Sequence, residues 1–303
     1  MTRTPRIDVA VAVVRDARDR VLMAERSPRQ IAAGHWELPG GKIEAGETPE
    51  QAARRELAEE AGLVGERLRP WIVYDYAFPA RSLRLHFFLV ERWSGVPEGR
   101  EGNRLAWVSP ARPEVGPVLP SNRRALARLS LPEVLLRCSP EAPVVPGAPG
   151  RGSTLAVLRG GSPGQRVQRA RRMAEAGVRT LLVGTPLEAL RAGALGLASP
   201  WPHWAELPGR PPVDLWAVEC RAPGDLERAA GLDADLALVP AESAEEPGFA
   251  ARLARLSLVV YLEAADFEAL ARARAAGAAG VLVDVSSEPR TARARLGGER
   301  GPA

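Results

Sequence analysis

Gly41–Leu63 reads GKIEAGETPEQAARRELAEEAGL, and its local chemistry sets one helix with one acidic face. Thr48 and Gln51 have the spacing of a capping box, in which the Thr hydroxyl and the Gln side chain satisfy each other's backbone N–H groups. Pro49 falls at the first helical position, where its missing N–H costs nothing. The spacing predicts a helix that starts at Thr48, runs through Ala52, Ala53, Arg54, Arg55, Leu57 and Ala58, and stops at Gly62 in a left-handed C-cap. Glu56, Glu59 and Glu60 then stand at i, i+3 and i+4, so their carboxylates leave from one face. No basic partner at i+4 is expected between them, and three like charges repel. A divalent cation removes that repulsion. Mg²⁺ or Mn²⁺ suits an all-oxygen site that shares its ligands with substrate phosphates. A solvated acidic helix face is what an isolated E-x-x-E-E would signify.

The wider pattern separates the two readings. Gly41, five residues, Glu47, seven residues, then Arg55-Glu56-Leu57-x-Glu59-Glu60-x-Gly62-Leu63 resembles the Nudix signature with every position filled. Around it, AERSPRQ, ELPGGKIEAGETPEQAARRELAEEAG, YAFPARSLRLHFFLVERWSGVPEGREG, AW and LPSN fall in the order and spacing of Nudix hydrolases of the MutT type, over nearly all of residues 5–131. The resemblance implies an α/β/α sandwich that hydrolyses 8-oxo-dGTP to 8-oxo-dGMP and pyrophosphate. In that chemistry water attacks phosphorus with a divalent metal present, and DNA is spared a mutagenic precursor. It also implies that the Gly40 carbonyl, Glu56, Glu59, Glu60 and Glu101 surround the metal. Glu56 or Glu101 takes the proton of the attacking water, a choice that distance to phosphorus decides.

The same resemblance assigns the nucleoside pocket. Arg26 contacts the nucleotide; Glu37, Leu38, Pro39, Gly40 and Phe78 line the pocket. Asn122 reads the base, because a carboxamide offers a donor and an acceptor and can pair O6 and the N7–H that oxidation creates. Following Pro120 and Ser121, it has helix capping as its other role. Arg55 is expected to pair with Glu47 and steady the loop between them, and Lys42 to face solvent. Two residues depart from the pattern: Leu38 stands where it has an aromatic, Ile31 where it has a histidine.

Outward from this core, 303 residues suggest about two domains. Strands are expected at 7–14, 21–25, 71–78, 83–93 and 104–108, with a hairpin turn at Pro79–Ser82 and a helix from about Asn122 to Leu131. The expected boundaries are a first domain over 1–135, a Pro/Gly-rich linker over 136–153, a second domain over 154–290 and a tail over 291–303. In the second domain, apolar runs at 154–158, 178–183, 194–198, 213–218, 234–239, 257–262 and 279–285 alternate with helical segments, clearest at 163–176 and 264–276. That rhythm is of βα units, about seven of them, one short of a TIM-type barrel. With LASP, GRPPVDLWAVE and ADLALVPA in order, this half resembles the thiamine phosphate synthase/TenI family. Val157–Gly161 lacks the family's phosphate-binding lysine, Leu181–Thr185 its Asn-Asp metal site and Leu262–Ala265 its glycine-rich phosphate turn. The expectation is an incomplete, non-catalytic barrel: a scaffold, a regulatory module or a partner surface. His203, Trp201 and Trp204 are expected as a packed aromatic cap.

Composition narrows the partners. Hydrophobic content of 46% supports packed cores, and no apolar run approaches the roughly 18–20 residues that span a bilayer. MTRTPRIDVAVAVVRD carries Asp8, alternates like a strand and has no cleavage site, so no signal peptide is expected. Cys138 and Cys220 lack metal-type spacing and are expected as reduced thiols of a cytoplasmic protein. A net charge of +4, carried by scattered arginines, favours small anionic substrates over nucleic acid or membrane. Two functional alternatives remain: hydrolysis of other nucleoside diphosphate derivatives, and regulation through a barrel that senses a thiamine-related metabolite.

Overall fold

A computed structural model describes residues 6–79, 81–141, 154–222, 224–253, 255–256, 258–265 and 269–285. Most of the expected linker, the tail and Ala80 of the expected hairpin turn lie outside these residues. One compact unit runs to Leu129 and a second begins at Ser130. No helix among the described residues is long and apolar enough to cross a membrane.

In the first unit, β1 (Arg6–Val14) is central to a four-stranded sheet with β4 (Gly40–Lys42), β5 (Val64–Phe78) and β6 (Arg81–Ser94), in the order β4-β1-β6-β5. β1 runs parallel to β6 and antiparallel to β4. A smaller sheet joins β2 (Val21–Glu25) to β3 (Trp36–Glu37) and β7 (Leu105–Val108). Because side chains alternate along a strand, β1 serves two cores. Ala10, Ala12 and Val14, with Phe88 and Val90, pack under Ala52, Ala53 and Leu57 of α1 (Pro49–Ala61). Val11 and Val13, with Leu85 and Phe87, pack under Ala125, Leu126 and Leu129 of α2 (Pro120–Leu129). The result is the expected α/β/α sandwich. β5 begins at Val64 rather than 71, because register shifts near Gly65 and Pro70 let those strand-breaking residues stay within it. α2 begins at Pro120, not Asn122; proline's fixed φ suits the first helical turn.

The second unit is a closed barrel of eight parallel strands, which corrects the expectation of an incomplete one. The strands are β8 (Val134–Cys138), β9 (Leu155–Leu158), β10 (Arg179–Leu182), β11 (Gly196–Ser199), β12 (Leu215–Glu219), β13 (Leu236–Pro240), β14 (Val259–Ala264) and β15 (Gly280–Asp284). Each pairs with its sequence neighbours, and β8 closes the ring between β15 and β9. β8 occupies residues expected at the end of the first domain and the start of the linker. Helices α3 (Pro163–Glu175), α4 (Pro186–Ala192), α5 (Gly224–Gly231), α6 (Phe249–Leu253) and α7 (Ala269–Ala275) intervene. Trp204 is fully buried with Trp201 edge-on to it at 5.5 Å, as expected of the aromatic cap, whereas His203, expected with them, is exposed. Both cysteines are free and buried, and burial pushes the Cys138 thiol up to about 11.

Outward strand residues such as Leu136, Ala156, Trp216 and Val239 share a core with helix residues such as Met173, Ala189 and Ala229. The alternate residues, among them Leu135, Val157, Leu215, Leu238, Tyr261 and Leu282, are buried in the barrel interior. Arg137, Glu219 and Glu263 continue this inward phase at the C-terminal strand ends. Arg137 bonds Glu263 at 2.5 Å and lies 3.8 Å from Glu219, to which Arg159 donates at 2.9 Å. Two positive and two negative side chains thus neutralise one another across the mouth. Without Glu219, Arg137 keeps Glu263 and the half-exposed Arg159 turns to water, so Glu219→Gln should lower the stability of this unit by only about 1 kcal/mol. Denaturant unfolding checks it, and a wild-type midpoint would show that the network contributes nothing.

Candidate active site

The helix that begins the reading forms as expected. Thr48 Oγ1 accepts from Gln51 N at 3.2 Å, Gln51 Oε1 accepts from Thr48 N at 2.8 Å, and Gly62 closes the helix at φ 68°. Arg55 grips both carboxylate oxygens of Glu47, at 2.7 and 2.9 Å, and donates to the Lys42 carbonyl at 3.0 Å. It therefore clamps the Lys42–Glu47 loop to α1 and holds the Glu47 carboxyl down at about 2. The same guanidinium corrects the expectation that the acidic face has no basic partner. Arg55 also donates to Glu56 at 2.7 Å and to Glu59, four residues on, at 3.1 Å.

Glu60 is different. It is 5% exposed, and its one hydrogen-bond partner on this face is the Gly40 N–H at 3.0 Å. Burial pushes its carboxyl up to about 8; Glu37 adds to this most among the neighbouring charges, with Glu56 and Glu101 behind it and the Gly40 N–H opposing. Glu56 is raised too, first by burial, against the pull of Arg55. Glu37 is buried and paired with Arg26, yet burial outweighs that pairing and its carboxyl is raised. Glu56 lies against β4: a Cβ on Gly41 would come within 2.2 Å of its Oε1, so only glycine admits the carboxylate there.

A group of carboxylates held above their ordinary range lacks positive charge, and a hard divalent cation fits that donor set. Among the described residues, no three acidic, histidine or cysteine side chains already converge to metal-ligand distances.

On the other wall, Asn122 is 3% exposed, and its Oδ1 accepts from Leu38 N at 2.8 Å. The carboxamide is thus committed across to the β3–β4 loop and does not cap α2. Tyr74 Oη, bonded to the Ser121 carbonyl at 2.7 Å, fixes the first turn of that helix. The Asn122 amide nitrogen has Ser121 Oγ at 3.4 Å.

These groups meet in one cavity of about 620 Å³, within the usual size of a small-molecule site. Glu56, Glu60, Glu101, Arg26, Glu37, Leu38, Gly40, Phe78 and Asn122 all line it. Two expected residues do not. Glu59 is exposed and turned to Arg55, and Pro39 is engaged through its carbonyl, which accepts from Ala12 N at 2.8 Å. Arg26 is spent on Glu37 and on the Ile31 carbonyl, at 2.6 Å. Lys42 is exposed, as expected, but on the cavity wall.

Among the lining residues that sequence reasoning did not assign to the site are Ile7, Val9 and Val11 of β1, Arg81, Leu83 and Leu85 of β6, and Gln30 and Ala32; Ile31, expected as a departure from the pocket pattern, lines it as well. The strand residues alternate at a period of two, so that signal was present. Which face would be open at one end was not.

Residues 4–129 match the NUDIX domain model. The chain is 38% identical over 124 residues to the 8-oxo-dGTP diphosphatase of Escherichia coli (strain K12), covering 41% of this chain and 96% of that protein. It is 37% identical over 123 residues to the 8-oxo-dGTP diphosphatase of Haemophilus influenzae, covering 41% and 90%. The CTP pyrophosphohydrolase of Escherichia coli (strain K12) is 33% identical over 120 residues, covering 38% and 85%.

Proposed function

Because this chain belongs to the Nudix family through residues 4–129, we propose that its first unit hydrolyses 8-oxo-dGTP to 8-oxo-dGMP and pyrophosphate, removing an oxidised precursor of DNA. One observation carries the substrate: the cavity that holds Glu56, Glu60 and Glu101 also holds the buried carboxamide of Asn122. With Oδ1 engaged by Leu38, the Asn122 amide is oriented, and its nitrogen is the donor for O6. The second lone pair of Oδ1 is the acceptor for the N7–H that only the oxidised base carries. Ordinary guanine presents an acceptor at N7, and a fixed amide rejects it.

For the phosphates, Glu56, Glu59, Glu60, Glu101 and the Gly40 carbonyl would hold Mg²⁺ or Mn²⁺. That cation supplies charge neutralisation for the triphosphate and acidifies water. Arg55 holds Glu56 and Glu59 on one face, and the Gly40 N–H fixes the Glu60 carboxylate. Glu56 or Glu101 accepts the proton of the attacking water. Arg26, already bonded to Glu37 and Ile31, orients the pocket wall that carries Ile31.

A second reading rests on Ile31, 69% exposed on the cavity wall, and on Leu38. An aliphatic lining in place of histidine and an aromatic admits other nucleoside triphosphates, and CTP hydrolysis by a relative makes that concrete. Steady-state hydrolysis of 8-oxo-dGTP, dGTP, CTP and ADP-ribose at fixed Mg²⁺ separates the readings. The expected order puts 8-oxo-dGTP first in kcat/KM; equal rates for dGTP would remove the substrate assignment while leaving the hydrolase. We read the barrel as non-catalytic, on the missing phosphate and metal residues and on the Arg137, Arg159, Glu219 and Glu263 pairs at its mouth.

A further inference from the structure

Glu101 lies in the segment between β6 and β7, on an exposed stretch with no strand or helix of its own. A side chain there is useful to a metal or a water only if the loop is held against α1. Otherwise each turnover has to order it again, at an entropic cost of the backbone. The C-terminal end of α1 supplies the anchor, because the last carbonyls of a helix have no partner within it. Glu98 N donates to the Ala61 carbonyl at 3.0 Å and Arg100 N to the Glu60 carbonyl at 3.3 Å. The Arg100 guanidinium reaches the Ala58 carbonyl at 3.5 Å.

One side chain bridges the two glutamates directly. Asn103 Nδ2 donates to the Glu60 carbonyl at 3.2 Å, and Asn103 Oδ1 accepts from the Glu101 backbone N–H at 3.3 Å. The loop is shaped for this residue. A Cβ on Gly99 would fall 1.9 Å from the Asn103 carbonyl and 2.9 Å from its Oδ1, so the chain packs there only as glycine. A carboxamide carries its donor and its acceptor on separate atoms, so it can hold two backbone groups at once.

We infer that Asn103 is a positioning residue of this site: its carboxamide ties the Glu101 loop to the helix end that carries Glu60 and so sets the separation of the two carboxylates. The inference rests on the proposed role of those glutamates. Its physical content is that Asn103 touches neither substrate nor metal, and acts through the backbone of both residues that do.

The test uses the full chain. Asn103→Ala should weaken Mn²⁺ binding, read from the EPR signal of free Mn²⁺ without turnover, and should lower kcat for 8-oxo-dGTP, each about tenfold, as loss of an outer partner of a metal ligand does. KM for the nucleotide and the melting temperature should stay at wild-type values, since neither the nucleoside wall nor a core is touched. Asn103→Asp, which keeps the acceptor for Glu101 N and loses the donor to Glu60, should fall between Ala and wild type. Wild-type Mn²⁺ affinity in Asn103→Ala would overturn the inference, and so would a fall in melting temperature that accounts for the whole loss. Should the wild-type protein fail to hydrolyse 8-oxo-dGTP, the proposed substrate falls, and the Mn²⁺ measurement still decides the role of Asn103.

Discussion

Glu60→Gln lowers kcat for nucleotide hydrolysis by about 10²–10³, the scale of losing one preorganised group that stabilises a transition state electrostatically. The substitution keeps the side chain's shape and keeps an oxygen that can still accept from Gly40 N. It removes the charge and turns one acceptor oxygen into an N–H donor that no cation can use. Among Glu56, Glu59 and Glu60, the last is the most buried, and the Arg55 contacts go to the other two. Among the described residues its charge therefore has no ion-pair partner, and a bound cation gains most from this position. The same crowding predicts a second effect of opposite sign. In chelator, the Gln variant should be at least as stable as wild type, because the carboxylate that burial, Glu37, Glu56 and Glu101 all disfavour is gone. Full activity in Glu60→Gln would end the metal-site reading. A collapse in stability would instead mark the residue as structural.

What the sequence disclosed about this site followed from short-range rules. The capping box, the proline at the first helical position and the glycine C-cap are contacts within four residues, and all three form as the residues dictate. The Glu47–Arg55 pair is eight apart but lies on the signature loop and its own helix, and it too forms. The reading failed where one side chain had to choose among several partners. Arg55 was assigned to Glu47 alone, yet a guanidinium has five donors, and it spends the rest on Glu56, Glu59 and Lys42.

The barrel failed for a different reason. Val134–Cys138 is a five-residue segment, interrupted by Arg137 and followed by a Pro/Gly-rich stretch, too short to be distinguished from a domain edge. Its identity as a strand comes from closure: it pairs with Val281–Asp284, about 145 residues on, and with Leu155–Leu158. Periodicity within a window cannot report a ring that closes over that distance.

Asn122 is where local and long-range readings conflict, and it carries the other large expected effect. Its neighbours Pro120 and Ser121 argue for a cap, while its observed partner is Leu38 N, 84 residues away. A buried amide fixed by that bond discriminates between bases only through its orientation, so two substitutions separate fixing from reading. Asn122→Ala removes both functions. The kcat/KM preference for 8-oxo-dGTP over dGTP should fall by about 10², since a site built around a hydrogen bond rejects a mismatched partner by that much or more. Stability should also fall by about 1–3 kcal/mol, the cost of an unpaired buried N–H at Leu38. Asn122→Asp keeps an oxygen for Leu38 N and replaces the donor facing O6 with a second acceptor. It should lose the preference as fully as alanine does, although Leu38 N keeps its partner, and burial of the new carboxylate lowers stability for a separate reason. Slow hydrolysis should persist in both, because the glutamates that serve the phosphates are carried by α1 and the Glu101 loop, not by α2. A variant of either kind that still favours 8-oxo-dGTP as strongly as wild type would mean that the base is read elsewhere on the cavity wall, with Arg81 and Ile31 the next groups to examine.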